Sequence, residues 1–299
     1  MFKHFAKHPI SFIALILLSL FSFFPLIQDV PLSSPTPQVK SAYTRSGTSV
    51  PSFSCSNLPE LEALSFYIYD VTSKSVICQR EPNLPLYPAS TTKMMTALVA
   101  LDIYTPDQIL TVYSADHSIG HTMNLLPDDQ LIMSDLIYGL LVSSGNDAAL
   151  ALAENHPQGY SAFVSAMNTK VRALGLKNTY FTNVSGVEDE SHITTASDLT
   201  TIALEGLKHP LFAQAVATSK TTVTSLQGNS YPLYSTNELL GREDVSGIKT
   251  GWTPSAGECL LTLYTQEGHQ IIVTLLGSPD RFEETEVILG WLETNLSWE

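Results

Sequence analysis

The sequence is poor in charge, and poorest in positive charge. Only 15% of its 299 residues are charged, with 15 Lys and Arg against 29 Asp and Glu. A net charge of −14 argues against a nucleic-acid partner, because phosphate binding needs a basic face. The acidic residues are scattered, with short clusters such as Glu188-Asp189-Glu190, and read as a solvated, repulsive surface. Cysteine is scarce too. Cys55, Cys78 and Cys259 have no metal-ligand spacing, and Cys259 sits in an apolar run that reads as buried. Whether Cys55 and Cys78 pair stays open, since spacing alone does not bring two Cα atoms together. The chain has no Gly-x-Ser-x-Gly elbow and no His-Glu-x-x-His, which disfavours an α/β-hydrolase and a zincin. His117 and His121 are four apart but lack an evident third ligand, so no metal or other cofactor is expected. Internal repeats are absent.

Apolar residues are plentiful at 44%, which fits a folded protein rather than a disordered one. An uncharged run from Ile10 to Ile27 follows Lys3 and Lys7. Its length favours an uncleaved membrane anchor over a cleaved signal peptide, with the N-terminus cytoplasmic and the rest outside the membrane. Residues 31–60 are rich in Pro, Ser and Thr and read as an extended tether. The globular part is expected over 61–299. Ser65–Asp70 alternates as a strand, with Ser75–Cys78 as its hairpin partner. Helical spacing marks Ser90–Asp102, a stretch from Ser134, Asn146–Glu154, Tyr160–Leu174, Thr195–Leu207 and Phe282–Leu292. Val245–Trp252, Glu258–Tyr264 and Gln270–Leu276 read as strands. Strands at both ends with helices between them imply an α+β fold, an antiparallel β-sheet with a helical layer.

Three short patterns carry chemistry. In Ser90-Thr91-Thr92-Lys93, residues three apart share a helix face, so the amine of Lys93 can reach the Ser90 hydroxyl. A serine nucleophile needs an adjacent base, and a lysine serves as one when burial or a nearby cation lowers its pKa. Ser144-Gly145-Asn146 lies between two helical stretches, where Ser144 can relay a proton and Asn146 can meet a substrate amide. The plainer reading is a helix–helix turn with Gly145 at positive φ and Asn146 as a cap. Lys249-Thr250-Gly251-Trp252 lies on a strand. There Lys249 and Thr250 can hold a carboxylate, and Gly251 lets a substrate backbone come close. A strand ending in a glycine bulge is the plainer alternative.

The three patterns in this order are far more specific than any one. The sequence resembles the low-molecular-weight penicillin-binding proteins, the serine D-alanyl-D-alanine carboxypeptidases. The likeness runs from about Leu64 to Leu292 and includes Pro88–Ala97, Ser143–Ala149, Ala173–Thr179, Thr194–Leu199, Gly247–Gly251 and Ala256–Leu260. It implies the penicillin-binding/β-lactamase-like transpeptidase fold with a helical subdomain. It implies acyl transfer from a peptidoglycan stem peptide ending in D-Ala-D-Ala, with Ser90 as nucleophile, Lys93 as base and Ser144, held by Asn146, as proton relay. Backbone N–H groups of Ser90 and Trp252 would form the oxyanion hole. Lys249, Thr250 and, on a weaker match, Arg281 would hold the substrate carboxylate. β-Lactams would acylate Ser90. Many members carry a second β-rich domain and a C-terminal amphipathic anchor, and the N-terminal segment is expected to replace that anchor. Trp252 stands where others often carry His or Tyr, so its ring is expected to narrow the pocket. No Glu-x-x-Asn occurs, which disfavours a β-lactamase. An endopeptidase and an idle β-lactam sensor remain alternatives. His192 and the Asn183-Val184-Ser185 stretch read as structural and as plain loop.

Overall fold

Strand β9 (Gly257–Gln266) explains the architecture, because both of its faces are covered. Successive side chains on a strand point to opposite sides. Cys259, Leu261 and Leu263 enter a core under the helical layer, whereas Leu260 and Tyr264 enter a second core on the other face. The structure, a computed structural model, describes residues 51–52, 55–113 and 120–298. In chain order these form β1 (Pro51–Ser52), β2 (Ser65–Asp70), β3 (Ser75–Arg80), α1 (Lys93–Ile103), β4 (Ile109–Thr111) and β5 (Gln130–Ile132). Helices α2 (Met133–Leu141), α3 (Asn146–Glu154), α4 (Tyr160–Ala173), α5 (Ala196–Gly206) and α6 (Pro210–Val216) follow. Then come β6 (Lys220–Thr224), β7 (Ser230–Tyr234), β8 (Val245–Thr253), β9, β10 (His269–Ser278), α7 (Arg281–Asn295) and β11 (Ser297–Trp298).

The main sheet is antiparallel in the order β3-β2-β10-β9-β8. The N-terminal hairpin thus completes a sheet made mostly by the C-terminal third, with Ile68 opposite Val273. Helix α7 covers one face, and its first turn is capped by the Asp280 side chain accepting from the Phe282 and Glu283 amides. The opposite face carries α5, tied down where the Thr200 and Thr274 hydroxyls meet at 2.8 Å. Helix α1 lies at the centre of the helical layer. Its residues from Lys93 to Ala100 are all buried, so it is enclosed around its circumference rather than on one face. The α+β arrangement expected from the sequence is the one observed. The β6–β7 hairpin, α6 and the short β4–β5 ladder gave no sequence signal. They are short, and β6 and β7 together bury only Val223, Tyr231 and Leu233.

Cys55 and Cys78 form a disulfide with Cα atoms 5.8 Å apart. Pro51–Ser52 pairs with Ser297–Trp298, and Leu58 packs on the core under α7. Part of the stretch expected to be tether is therefore attached to the domain, because a covalent bond and an apolar contact hold it there. The Ile10–Ile27 run lies outside the described residues, as does most of the Pro/Ser/Thr-rich stretch. Among the described residues no helix is long and apolar enough to cross a membrane.

Candidate active site

The chain enters α1 through a 3-10 turn, Ala89–Thr92, with Ala89 at φ 47°. The turn is closed by the Thr91 amide and hydroxyl, both donating to the Pro88 carbonyl. Ser90 is presented at the helix entrance, half-buried, while Lys93 one turn on is fully buried. The Lys93 amine donates to Ser90 Oγ at 2.9 Å and to the Ser185 carbonyl at 2.8 Å. Burial pushes the Lys93 pKa well below the ordinary lysine value. The Lys249 charge adds to the fall, and the Asp147 carboxylate opposes it. Asp147, also fully buried, accepts the amides of Met123, Leu125 and Ala148.

Ser144 closes the bend between α2 and α3 at φ 59°, in the left-handed region, where a non-glycine residue carries ~1–3 kcal/mol of strain. Gly145 instead has φ −61°, so the positive φ expected at the glycine falls on the serine. Gly145 is needed for room: a Cβ there would lie 2.9 Å from Asp147 Oδ1 and 3.2 Å from the Gly139 carbonyl. Lys249, on β8 and 1% exposed, donates to Ser144 Oγ at 2.9 Å. Burial, then the Arg281 charge, lowers its pKa to about 7. The Asn146 amide donates to the His121 carbonyl at 2.8 Å.

Strand β8 is the edge of the sheet, and its backbone can receive an extended peptide. Thr250 Oγ1 meets Thr236 Oγ1 at 2.5 Å. Arg281, the first residue of α7, donates from Nη1 to the Gly251 carbonyl at 3.2 Å, with Glu258 Oε1 3.8 Å from the guanidinium. Gly251 has a reason within the protein itself, beside the one the sequence suggests. A Cβ there would come within 3.0–3.2 Å of the Pro88 carbonyl, the Ser90 amide nitrogen and Ala89 Cβ, so the glycine lets β8 pack against the nucleophile turn. The Trp252 ring stands 59% exposed at the mouth.

The fourth wall is the segment 182–188, which includes the stretch that reads as plain loop. Asn183 Oδ1 accepts the Ser185 and Gly186 amides, and Asn183 Nδ2 donates to the Val187 carbonyl. Gly186, at φ 87°, passes so close to Ala89 that a Cβ would lie 1.8 Å from its carbonyl oxygen. His192 anchors the wall from behind: Nδ1 accepts the Thr182 amide at 3.0 Å, which leaves Nε2 to donate to Thr92 Oγ1 at 2.8 Å. Burial lowers its pKa to about 4, so it is neutral. At the other end, Glu188 Oε1 accepts the Ser255 amide.

These walls enclose a cleft of about 600 Å³ lined by Ser90, Ser144, Asn146, Thr250, Gly251, Trp252 and Arg281. Every sequence-expected site residue is thus in one place, but Lys93 and Lys249 stand behind the lining. Lys249 reaches the lining through its hydrogen bond to Ser144 Oγ. Sequence reasoning missed Ser185, Thr236, Asp147 and Glu188 as parts of the site. Of these only Asp147 had a signal, its adjacency to Asn146. Among the described residues no cluster of three His, Cys, Asp or Glu side chains is placed to hold a metal; His117 lies outside them.

A sequence profile of the D-alanyl-D-alanine carboxypeptidase family matches residues 52–280. A D-alanyl-D-alanine endopeptidase of Pseudomonas aeruginosa is 33% identical over 244 residues, 79% of this chain and 78% of that protein. The D-alanyl-D-alanine carboxypeptidase DacF of Bacillus subtilis is 32% identical over 239 residues, 78% of this chain and 61% of its own. Among solved structures, a Streptomyces DD-transpeptidase superposes with a TM-score of 0.74 at 29% identity, over 78% of this chain and 97% of that one.

Proposed function

We propose, for a chain that belongs to the D-alanyl-D-alanine carboxypeptidase family, how its residues divide the work of a penicillin-binding serine hydrolase. The substrate is a peptidoglycan stem peptide ending in D-Ala-D-Ala, and β-lactams are covalent inhibitors. Ser90 Oγ attacks the carbonyl carbon between the two D-alanines and gives its proton to the neutral amine of Lys93. The C–N bond then breaks, and the departing amine takes a proton through the Ser144 hydroxyl, which Lys249 supplies by hydrogen bond. Water attacks the ester on Ser90 and releases the shortened peptide. Backbone N–H groups of Ser90 and Trp252 serve the oxyanion. Arg281, Thr250 and Thr236 meet the terminal carboxylate, with the Lys249 charge behind them, and Asn146 meets the peptide amide. The observation that carries this reading is the 2.9 Å contact between Ser90 Oγ and a fully buried lysine amine, which makes the serine a nucleophile.

We further propose that the domain works on the outer side of the cell membrane, held by the Ile10–Ile27 run. The Cys55–Cys78 disulfide supports an oxidising compartment. Free D-alanine from a diacyl-D-Ala-D-Ala peptide, measured for the wild-type protein and for Ser90→Ala, tests the chemistry. Release that persists in the variant would remove Ser90 from its role. A second reading, cleavage of the same D-alanyl bond with a larger leaving group, is favoured by two relatives named endopeptidases, of whose length the matches cover 78% and 79%. Cross-linked muropeptides given beside the diacyl peptide distinguish the two.

A further inference from the structure

The cleft beside β8 has ends of opposite character. At one end lie the hydroxyls of Thr250 and Thr236 and the Arg281 guanidinium. At the other, β8 runs into the turn before β9, and Glu188 reaches across from the loop wall to accept the Ser255 amide at 2.8 Å. The Ser255 amide and the Thr253 hydroxyl hold the Glu188 carboxyl below the usual carboxylate range, so it is ionised at neutral pH. Among the described residues Glu188 takes part in no salt bridge, so this charge has no cation from the protein itself. Glu188 also borders a second cavity of about 380 Å³, formed by Leu150, Tyr160, Asn183 and Asp189 behind the loop. The two cavities share Asn146, Ser185, Val187 and Glu188, which makes the smaller one a side chamber of the cleft.

Spacing relates this chamber to the peptide. Thr250 and Thr253 are three strand residues apart, roughly 10 Å at ~3.3 Å per residue. A peptide whose terminal carboxylate sits by Thr250 and Arg281 has the residue two positions upstream roughly 7 Å along the strand. A long side chain from that residue spans what remains to Glu188.

We infer that Glu188 is a specificity-determining residue that binds an ammonium group on the side chain preceding D-Ala-D-Ala, with the side chamber and Asp189 receiving the chain. This rests on the peptidase reading above and adds to it a preference for stem peptides with a free amine on the third residue. The Ser255 and Thr253 donors fix the carboxylate before the substrate arrives, so little side-chain freedom is lost on binding.

The test compares D-alanine release from Nα-acetyl-L-Lys-D-Ala-D-Ala, whose side-chain amine is free, with release from the Nα,Nε-diacetyl peptide. The full-length wild-type protein should prefer the free amine by ~2- to 5-fold in kcat/KM, the effect of one solvent-accessible ion pair. Glu188→Gln retains an acceptor for the Ser255 amide and should bring that ratio to about one. A ratio unchanged in Glu188→Gln overturns the inference. So does an equal loss on both peptides, which would make Glu188 a fastening of the loop and nothing more. Turnover of both peptides by the wild type without preference removes this inference alone. No turnover of either removes the peptidase reading and this one with it.

Discussion

Two serine–lysine pairs face the cleft, each with a 2.9 Å contact and a buried amine, yet they are built differently. Ser90 and Lys93 are neighbours on one helical turn. Ser144 and Lys249 come from a bend between helices and from an edge strand, 105 residues apart. The amine of Lys93 sits deep beneath the turn, with Asp147 as its counter-charge and Lys249 as a repelling neighbour. Among the described residues Lys249 has no such carboxylate, and it lies near Arg281. Two like charges close together do not both ionise readily, and the proposed mechanism divides them accordingly, with Lys93 as the neutral base and Lys249 as the group that still carries a proton near neutrality.

The division can be broken from the Lys93 side first. Lys93→Ala should slow acylation by a fluorescent penicillin by ~10²- to 10⁴-fold, the range for loss of a positioned base. An unchanged rate would mean that another group takes the Ser90 proton. The comparison sharpens with pH. Acylation by a carboxylate-bearing substrate should fall toward acid as Lys93 gains a proton, and fall again above about pH 7 as Lys249 loses its own. Lys249→Arg, which cannot lose its charge in that range, should shift the alkaline limb upward; a limb that stays in place would assign it elsewhere.

Gly251→Ala comes next. The methyl group meets the backbone of Pro88 and Ser90, and the displaced nucleophile should lower kcat by ~10-fold with the penicillin site still loaded. Full activity would show that the turn yields freely. A separate effect is on stability. A lysine with a lowered folded pKa binds fewer protons than the unfolded chain, so stability rises with pH between about 7 and the ordinary lysine value. Lys249→Met should therefore gain ~1–3 kcal/mol near pH 7, and the gain should shrink toward pH 10. A gain that does not depend on pH would point to packing instead.

Much of the frame was legible before the structure. β2 and α3 have the bounds that alternation and spacing imply, and β8, β9, β10 and α7 lie within a few residues of expectation. The β6–β7 hairpin was not, because an exposed hairpin with few apolar residues has no buried face to leave a pattern. The loop at 182–188 was opaque for another reason. It is held by side chain–backbone bonds from Asn183, His192 and Glu188, and such bonds leave no periodicity. Gly251 was legible as a residue but not for its contact inside the protein, since the surface it must clear belongs to the Pro88–Ser90 turn, far away in the sequence.

By itself the sequence determined the Ser90–Lys93 pair, since a helix brings residues three apart onto one face whatever surrounds it. It also determined the strand pattern that buries β9 on both sides. Tertiary structure decided the rest of the chemistry. It brought Lys249 to Ser144, laid the Ser185 carbonyl against Lys93, and set Arg281 and Glu188 at opposite ends of the cleft. It alone set the charge on both lysines, because desolvation and like-charge repulsion depend on every element packed around an amine.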